Sequence, residues 1–393
     1  MTPWTAAPEA TLRDGGAVCA GQSPPDACAP RCDTAPARGI ASRLAFVDAL
    51  KAIAVQFIIL HHLAFYGPMS DNAYELAGAA ISWLSQDARI AVQAFLVIGG
   101  FLAARSLAPG GAMRAGRPLA LVWRRYLQLI VPFLAALALG IALAAITRAL
   151  MEHESIPGQP TLPQVVAHAL LLQSILGYEG LSAGVWYIAI DFQLFALLVG
   201  TLWLARGLDR SGTRTPALGA LLVAALALAS LYHFNRSDDW DNWAIYFFGS
   251  YALGALTYWA TNRKQTAGWL LPMALAVVAA LLLDYRSRIA LALMVALALG
   301  LARHFDFLER WPRSRLLENL GTISYSVFLV HFPVSLVISG LFARFTSADP
   351  WVNLAGMVVA WLASIAAGAL FYRLVERPAR RRYRLAAPAP ALS

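Results

Sequence analysis

Runs of about 20 mostly apolar residues recur along this chain from Leu44 to Phe371, broken by short stretches of Arg, Asp, Glu, Gly and Pro. A helix needs about 20 such residues to cross roughly 30 Å of hydrocarbon. Ten segments meet that description, near 44–66, 88–107, 126–147, 184–206, 216–234, 242–261, 267–283, 287–303, 320–345 and 350–375. The seventh and eighth are short and joined only around Asp284 to Arg286, which predicts a tight hairpin. Residues 164–176 are apolar but too short to span, and suit a re-entrant or interfacial helix. The pattern predicts an all-α fold: a polytopic membrane helix bundle of about ten transmembrane helices. Residues 1–42 are rich in Ala, Pro and Gly and lack the apolar core of a signal peptide, so they read as a disordered tail. A short tail at 383–393 leaves 43–382 as one membrane domain.

Composition agrees. Of 393 residues, 59% are hydrophobic and 13% charged, against about 25% charged in soluble domains. The formal net charge of +9 raises the question of nucleic acid, but the placement of the charges answers it. With the amino terminus inside, the inner segments carry twenty-three Lys and Arg, and the outer ones carry Arg89, Arg148, Arg236, Arg286, Arg288 and Arg344. That asymmetry is the positive-inside pattern; it puts both termini in the cytoplasm and removes the need for a nucleic-acid partner. Cys19, Cys28 and Cys32 all lie in the tail, an odd set that forms neither a disulfide framework nor a metal site.

The first segment, LAFVDALKAIAVQFIILHHLAFY, carries Asp48, Lys51, His61 and His62. Ionisable groups at membrane depth are costly and face a bundle interior, a cavity or a partner. Lys51 and His62 are eleven residues apart. At about 100° per residue both project from nearly one face, roughly 16 Å apart along the axis. Asp48 precedes Lys51 by three residues, the spacing at which opposite charges meet. His61 points about 100° away from the stripe. The plain alternative is a self-neutralising Asp–Lys pair with His62 at the wet interface. Three polar groups on one stripe favour a hollow shared by Lys51 and His62 and reaching the cytosol.

Polar groups recur in later segments. Gly99 and Gly100 allow close approach of a helix or ligand. Arg124 and Arg125 serve either as positive-inside anchors or as a phosphate grip, since Arg recognises phosphate through several donors. The fourth segment begins VWYIAIDFQLF, with Asp191 roughly 10 Å from its outer end and Trp186, Tyr187 and Gln193 alongside; the Trp and Tyr also suit an aromatic belt. Counted along their helices, His62 and Asp191 fall at comparable depths, and a carboxylate neighbour would fix an imidazole's tautomer and raise its basicity. The ninth segment, LGTISYSVFLVHFPVSL, holds Ser324, Tyr325, Ser326 and His331, with Pro333 expected to kink it. His331 falls near mid-membrane, either as a hydrogen-bonded core residue or lining a channel with Ser324 and Tyr325. Glu376, between Arg373 and Arg377, reads as a structural ion pair.

In this order the segments resemble the acyltransferase-3 family, integral membrane enzymes that acylate hydroxyls of sugars and related acceptors. The family's first helix carries a basic residue, ten intervening residues and a His, matched by Lys51, where Arg is commoner, and His62. Phe95, Gly100 and Phe101 match its second helix, with Gln93 replacing an acidic residue and Gly99 a Ser. Arg124 and Arg125 match the stretch attributed to the phosphates of coenzyme A, with Leu129 where a further Arg is common. Trp186 and Asp191 resemble the Trp-x-x-x-x-Glu signature, with Asp for Glu. Gly321, Ser324, Tyr325, Ser326 and His331 form the most specific match, and Glu376 and Pro378 resemble the closing Glu-x-Pro.

The resemblance spans 43–382 and implies a multi-pass protein of the cell (inner) membrane. It implies no bound cofactor and no metal, an acyl-coenzyme A donor, commonly acetyl, reached from the cytoplasm, and an acceptor hydroxyl on a sugar of a cell-surface glycan or its lipid-linked precursor. A hydroxyl is a poor nucleophile until a nearby base takes its proton. His62 takes that role, as base or transient acyl carrier, with Lys51 and Asp191 in the catalytic group. Arg124 and Arg125 hold the donor, and Asp48, Trp186, Gln193, Ser324, Tyr325 and His331 line the channel. The rival is a secondary transporter, which also carries intramembrane ionisable groups and interrupted helices.

Overall fold

The computed structural model describes residues 43–113, 116–209, 216–261 and 267–386. The tail with its three cysteines, residues 387–393, and Arg31, Arg38, Arg114, Arg210, Arg214, Arg263 and Lys264 of the basic count lie outside the described residues. All regular structure described is helical: α1 (Ala45–Phe65), α2 (Pro68–Gln86), α3 (Val92–Leu107, led by a 3₁₀ turn from Ala88), α4 (Pro118–Leu150), α5 (Leu162–Ala169), α6 (Val185–Leu208), α7 (Pro216–Tyr232), α8 (Ala244–Ala260), α9 (Leu270–Leu283), α10 (Ser287–His304), α11 (Arg315–Phe345), α12 (Pro350–Phe371) and α13 (Arg377–Ala386), with a π-helical turn, Tyr372–Glu376, between the last two. Local chemistry starts several of them. Pro68, Pro118 and Pro350 occupy first-turn positions, where the missing N–H costs nothing. Asp349 caps α12 by accepting from the amides of Trp351 and Val352.

Eight helices are long and apolar enough to cross a membrane. The two other expected spans form α8 and α9, of 17 and 14 residues, about 25 and 21 Å long at 1.5 Å per residue. α11 is continuous across Pro333. Two elements differ from the expected pattern. α2, which is not among the expected segments, is a 19-residue helix with a break in its dihedrals at Ala77; Asp71, Asn72 and Glu75 interrupt its first half, and the apolar stretch at 76–84 is too short to span. The helix expected over 164–176 ends at Ala169, and Leu171 takes a left-handed φ of 58°.

α11 lies at the centre, packed on α12, α1 and α4. Glycines set the closest contacts. A Cβ on Gly321 would lie 2.2 Å from the Asp48 carbonyl oxygen, so α1 and α11 meet backbone to backbone. Gly100 and Gly254 do the same for α3 and α8, where an added Cβ would lie 1.8 Å from the carbonyl oxygens of Tyr251 and Val97. Small residues that admit such approach are the usual means of packing helices in lipid.

Candidate active site

From the Gly321 contact, α1 and α11 run side by side, bringing the end of α1 to the middle of α11. There His62 Nδ1 lies 2.6 Å from His331 Nε2. The rings are 4° from coplanar, with centroids 5.0 Å apart. His331 is fully buried, and its Nδ1 lies 3.1 Å from the Val327 carbonyl oxygen and 2.9 Å from that of Phe328. Tyr66, Phe332 and His61 pack around the His62 ring. His61, off the Lys51–His62 stripe as its angle requires, has Nδ1 3.0 Å from the Leu84 carbonyl oxygen and so ties α1 to α2.

A cavity of about 630 Å³ adjoins this pair, within the range of small-molecule sites. His61, His62, Phe328 and Phe332 contribute from the helices; Arg89 lies at the foot of α3; Glu154 to Gly158 follow α4; Tyr178 to Trp186 lead into α6. The last of these walls is a dipping loop. Thr161 and Gln164 form a reciprocal capping box at the start of α5. His168 donates from Nδ1 to the Gln164 carbonyl and accepts the Leu181 amide at Nε2. Burial pushes the pKa of His168 down, which keeps it neutral and able to accept. Gly184, at φ 81°, ends the loop against the Phe328 ring, 2.9 Å from where its Cβ would be.

That dip changes the depth of Asp191. Because α6 starts opposite the middle of α11, Asp191 lies level with Gly99 and below Tyr187, which packs on Phe328. Its partner is Arg125, at 2.5 Å, not His62. Arg125 belongs to the turn of α4 before Leu129, whose carbonyl accepts the Tyr325 hydroxyl. Tyr325 is six residues before His331, so the Arg125–Asp191 pair is roughly 9 Å or more from the imidazoles along α11. The comparable depth of His62 and Asp191 expected above does not hold. Counting from a helix's first residue presumes that it starts at the membrane edge.

The remaining singled-out residues are distributed as follows. Lys51 Nζ meets Asp48 at 2.8 Å, as the spacing predicts, and Asp48 also takes Arg43 Nε at 2.8 Å. Arg43 reaches on to Glu318 and Thr322. Gln193 Oε1 accepts the Ala244 amide and caps α8. Ser324 Oγ donates within α11 to the Gly321 carbonyl. Glu376 is buried and pairs with Arg380 and Ser326, not with the flanking Arg373 or Arg377. Arg124 is exposed. The cavity contains His62 and Trp186 but is not lined by Lys51, Arg124, Arg125 or Asp191, so it is not the hollow shared by Lys51 and His62 that the stripe suggested. His61, Arg89, Glu154, Tyr178 and Glu179 line it without having been singled out for it; only the paired histidines gave a signal. Among the described residues no three metal-ligating side chains converge.

This arrangement offers an imidazole, oriented by a second imidazole, at a cavity large enough for a small substrate. A family model described as an acyltransferase domain matches residues 44–373. No match was found among curated proteins or among solved structures. The matched stretch contains both imidazoles, the Arg125–Asp191 pair and every wall of the cavity, and the chain belongs to the acyltransferase-3 family of membrane acyltransferases.

Proposed function

We propose that the protein moves an acyl group, acetyl the leading case, from acyl-coenzyme A to a hydroxyl of a sugar in a cell-surface glycan or its lipid-linked precursor, at the cell's inner membrane. The observation that carries this reading is the imidazole pair beside a cavity that fits one or two sugar rings. Its lining suits such a guest: Trp186 and Tyr178 offer flat apolar faces, and Glu154 and Glu179 accept hydrogen bonds from hydroxyls. The arginine-rich ends of the helices lie in the cytoplasm by the positive-inside rule. The cavity, walled by the opposite loops, therefore takes its acceptor from the other side.

In the proposed step the acceptor oxygen attacks the thioester carbonyl carbon while His62 takes its proton. The carbon–sulfur bond breaks, and the coenzyme A thiolate leaves with the proton returned by His62. A positioned base of this kind contributes about 10²–10⁴-fold. The donor approaches from the cytoplasm, where exposed Arg124 suits phosphate; Arg125 joins it only by releasing Asp191. Lys51 balances charge on that path.

The experiment is acyl transfer from labelled acetyl-coenzyme A into glycan in membranes holding equal amounts of parent and His62→Ala protein. Labelling that depends on the parent and is lost in the variant is expected. Undiminished labelling with His62→Ala refutes the base assignment, and substrate flux without any acyl donor refutes the enzyme reading.

A further inference from the structure

His331, like His168, has hydrogen-bonding neighbours at both nitrogens whose roles can be fixed. A carbonyl oxygen only accepts. Nδ1 of His331 lies 3.1 and 2.9 Å from two carbonyl oxygens, of Val327 and Phe328, so this nitrogen carries the proton. In the neutral ring the other nitrogen, Nε2, is then an acceptor. The group it faces is His62 Nδ1, at 2.6 Å. His62 must therefore donate from Nδ1, which leaves Nε2 of His62 with the lone pair. That nitrogen has no hydrogen-bond partner among the described residues, and His62 lines the cavity.

We propose that His331 is a positioning residue that sets the tautomer of His62 through this contact, so that Nε2 is the nitrogen that receives the acceptor's proton. The inference rests on the reading of His62 as base and adds what determines which of its nitrogens is basic. The role is one that a carboxylate or carbonyl commonly fills; here a neutral imidazole fills it, itself pinned by the backbone of its own helix turn. When His62 takes the proton at Nε2 it becomes an imidazolium. Its Nδ1–H to His331 Nε2 bond is then charge-assisted, a stronger class of hydrogen bond. No proton has to leave His331 for this to happen. The near-coplanar rings keep the two nitrogens directed at each other. The contact also explains how a histidine packed on Phe328 can be wholly buried with both nitrogens satisfied.

The test uses full-length protein in detergent or lipid and has two parts. In the first, ¹⁵N spectra of histidine-labelled parent protein report the protonated nitrogen of each ring. The expectation is a proton on Nδ1 of both His62 and His331; a proton on Nε2 of neutral His62 overturns the proposal, and no variant is needed to see it. In the second, His331→Phe keeps a ring but removes the acceptor, whereas His331→Gln offers a carbonyl oxygen near the place of Nε2. The Phe variant is expected to lose turnover about 10-fold or more, within what a positioned base contributes, with KM for donor and acceptor unchanged. The Gln variant is expected to recover most of that loss. Equal turnover of the Phe variant and the parent, with His62→Ala inactive, overturns the role of His331 and leaves the base assignment standing. An active His62→Ala removes the base assignment instead.

Discussion

The Arg125–Asp191 pair allows the sharpest test of how structure revises the reading of these residues. Each has a proposed chemical role of its own, yet each is the other's partner at 2.5 Å. At an effective dielectric of about 20, unit charges about 4 Å apart attract by about 4 kcal/mol. Removing one member of a buried pair costs about 3–5 kcal/mol, because the survivor is left charged and unpaired. The two ends are unequally placed: the Arg125 side chain is 30% exposed and Asp191 6%. Arg125 without a partner can turn towards water, so Asp191→Asn belongs near 3 kcal/mol; Asp191 without a partner cannot, so Arg125→Gln belongs near 5 kcal/mol. At about 2 °C per kcal/mol for a chain of this size, these are falls of roughly 6 and 10 °C in melting temperature. The double variant, with two neutral amides facing each other, should fall by far less than the roughly 16 °C sum. Intrinsic fluorescence melting of the four purified proteins gives the cycle directly. A double variant whose loss equals the sum refutes direct coupling. If coupling holds but turnover of the double stays at the level of the worse single, the charges serve the reaction as well as the fold.

Two further outcomes follow from the packing and the loop. Gly100→Ala or Gly254→Ala should sharply lower the amount of folded protein in membranes, since each Cβ would meet a backbone oxygen at 1.8 Å, while Gly200→Ala, with nothing within 4 Å of its Cβ, should be neutral or stabilising by up to about 1 kcal/mol; equal yields of all three would contradict the close α3–α8 contact. The lowered pKa of His168 means that the unfolded loop binds the proton more readily than the folded one, so the loop's stability is complete above the unfolded value of 6.5 and declines as pH falls below it. Hydrogen exchange of residues 161–184 should therefore quicken between pH 7.5 and 5 beyond the intrinsic pH trend, and His168→Gln, which keeps a side-chain acceptor but does not titrate, should abolish that difference.

How much of this was legible in the sequence depends on whether a feature is local. The apolar runs predicted α1, α3 and α12 to within a few residues, but placed the starts of α4 and α11 late, at 126 and 320 against Pro118 and Arg315. Arg124 and Arg125 separate the apolar first turns of α4 from the run at 126, and Arg315, Glu318 and Asn319 occupy the first turns of α11. α2 escaped because Ser70, Asp71, Asn72 and Glu75 break up its first half and leave only a short apolar stretch at 76–84. The Asp48–Lys51 pair was legible because three residues of helix determine it. The angular period likewise placed His62 on a polar face, and a count along the ninth segment placed His331 near mid-membrane, but neither gives the identity of the facing helix, and so Asp191 was set at the depth of His62 when its partner is Arg125. His331 combines both kinds of information. Its contacts to Val327 and Phe328 lie four and three residues back on its own helix and follow from helical geometry, so the location of its Nδ1 proton is a local property of the ninth segment. Only the group at its other nitrogen required the fold. Once that group is His62, a local constraint on one helix determines which atom on another is basic, and the chemistry assigned to the first segment depends on a hydrogen bond made wholly within α11.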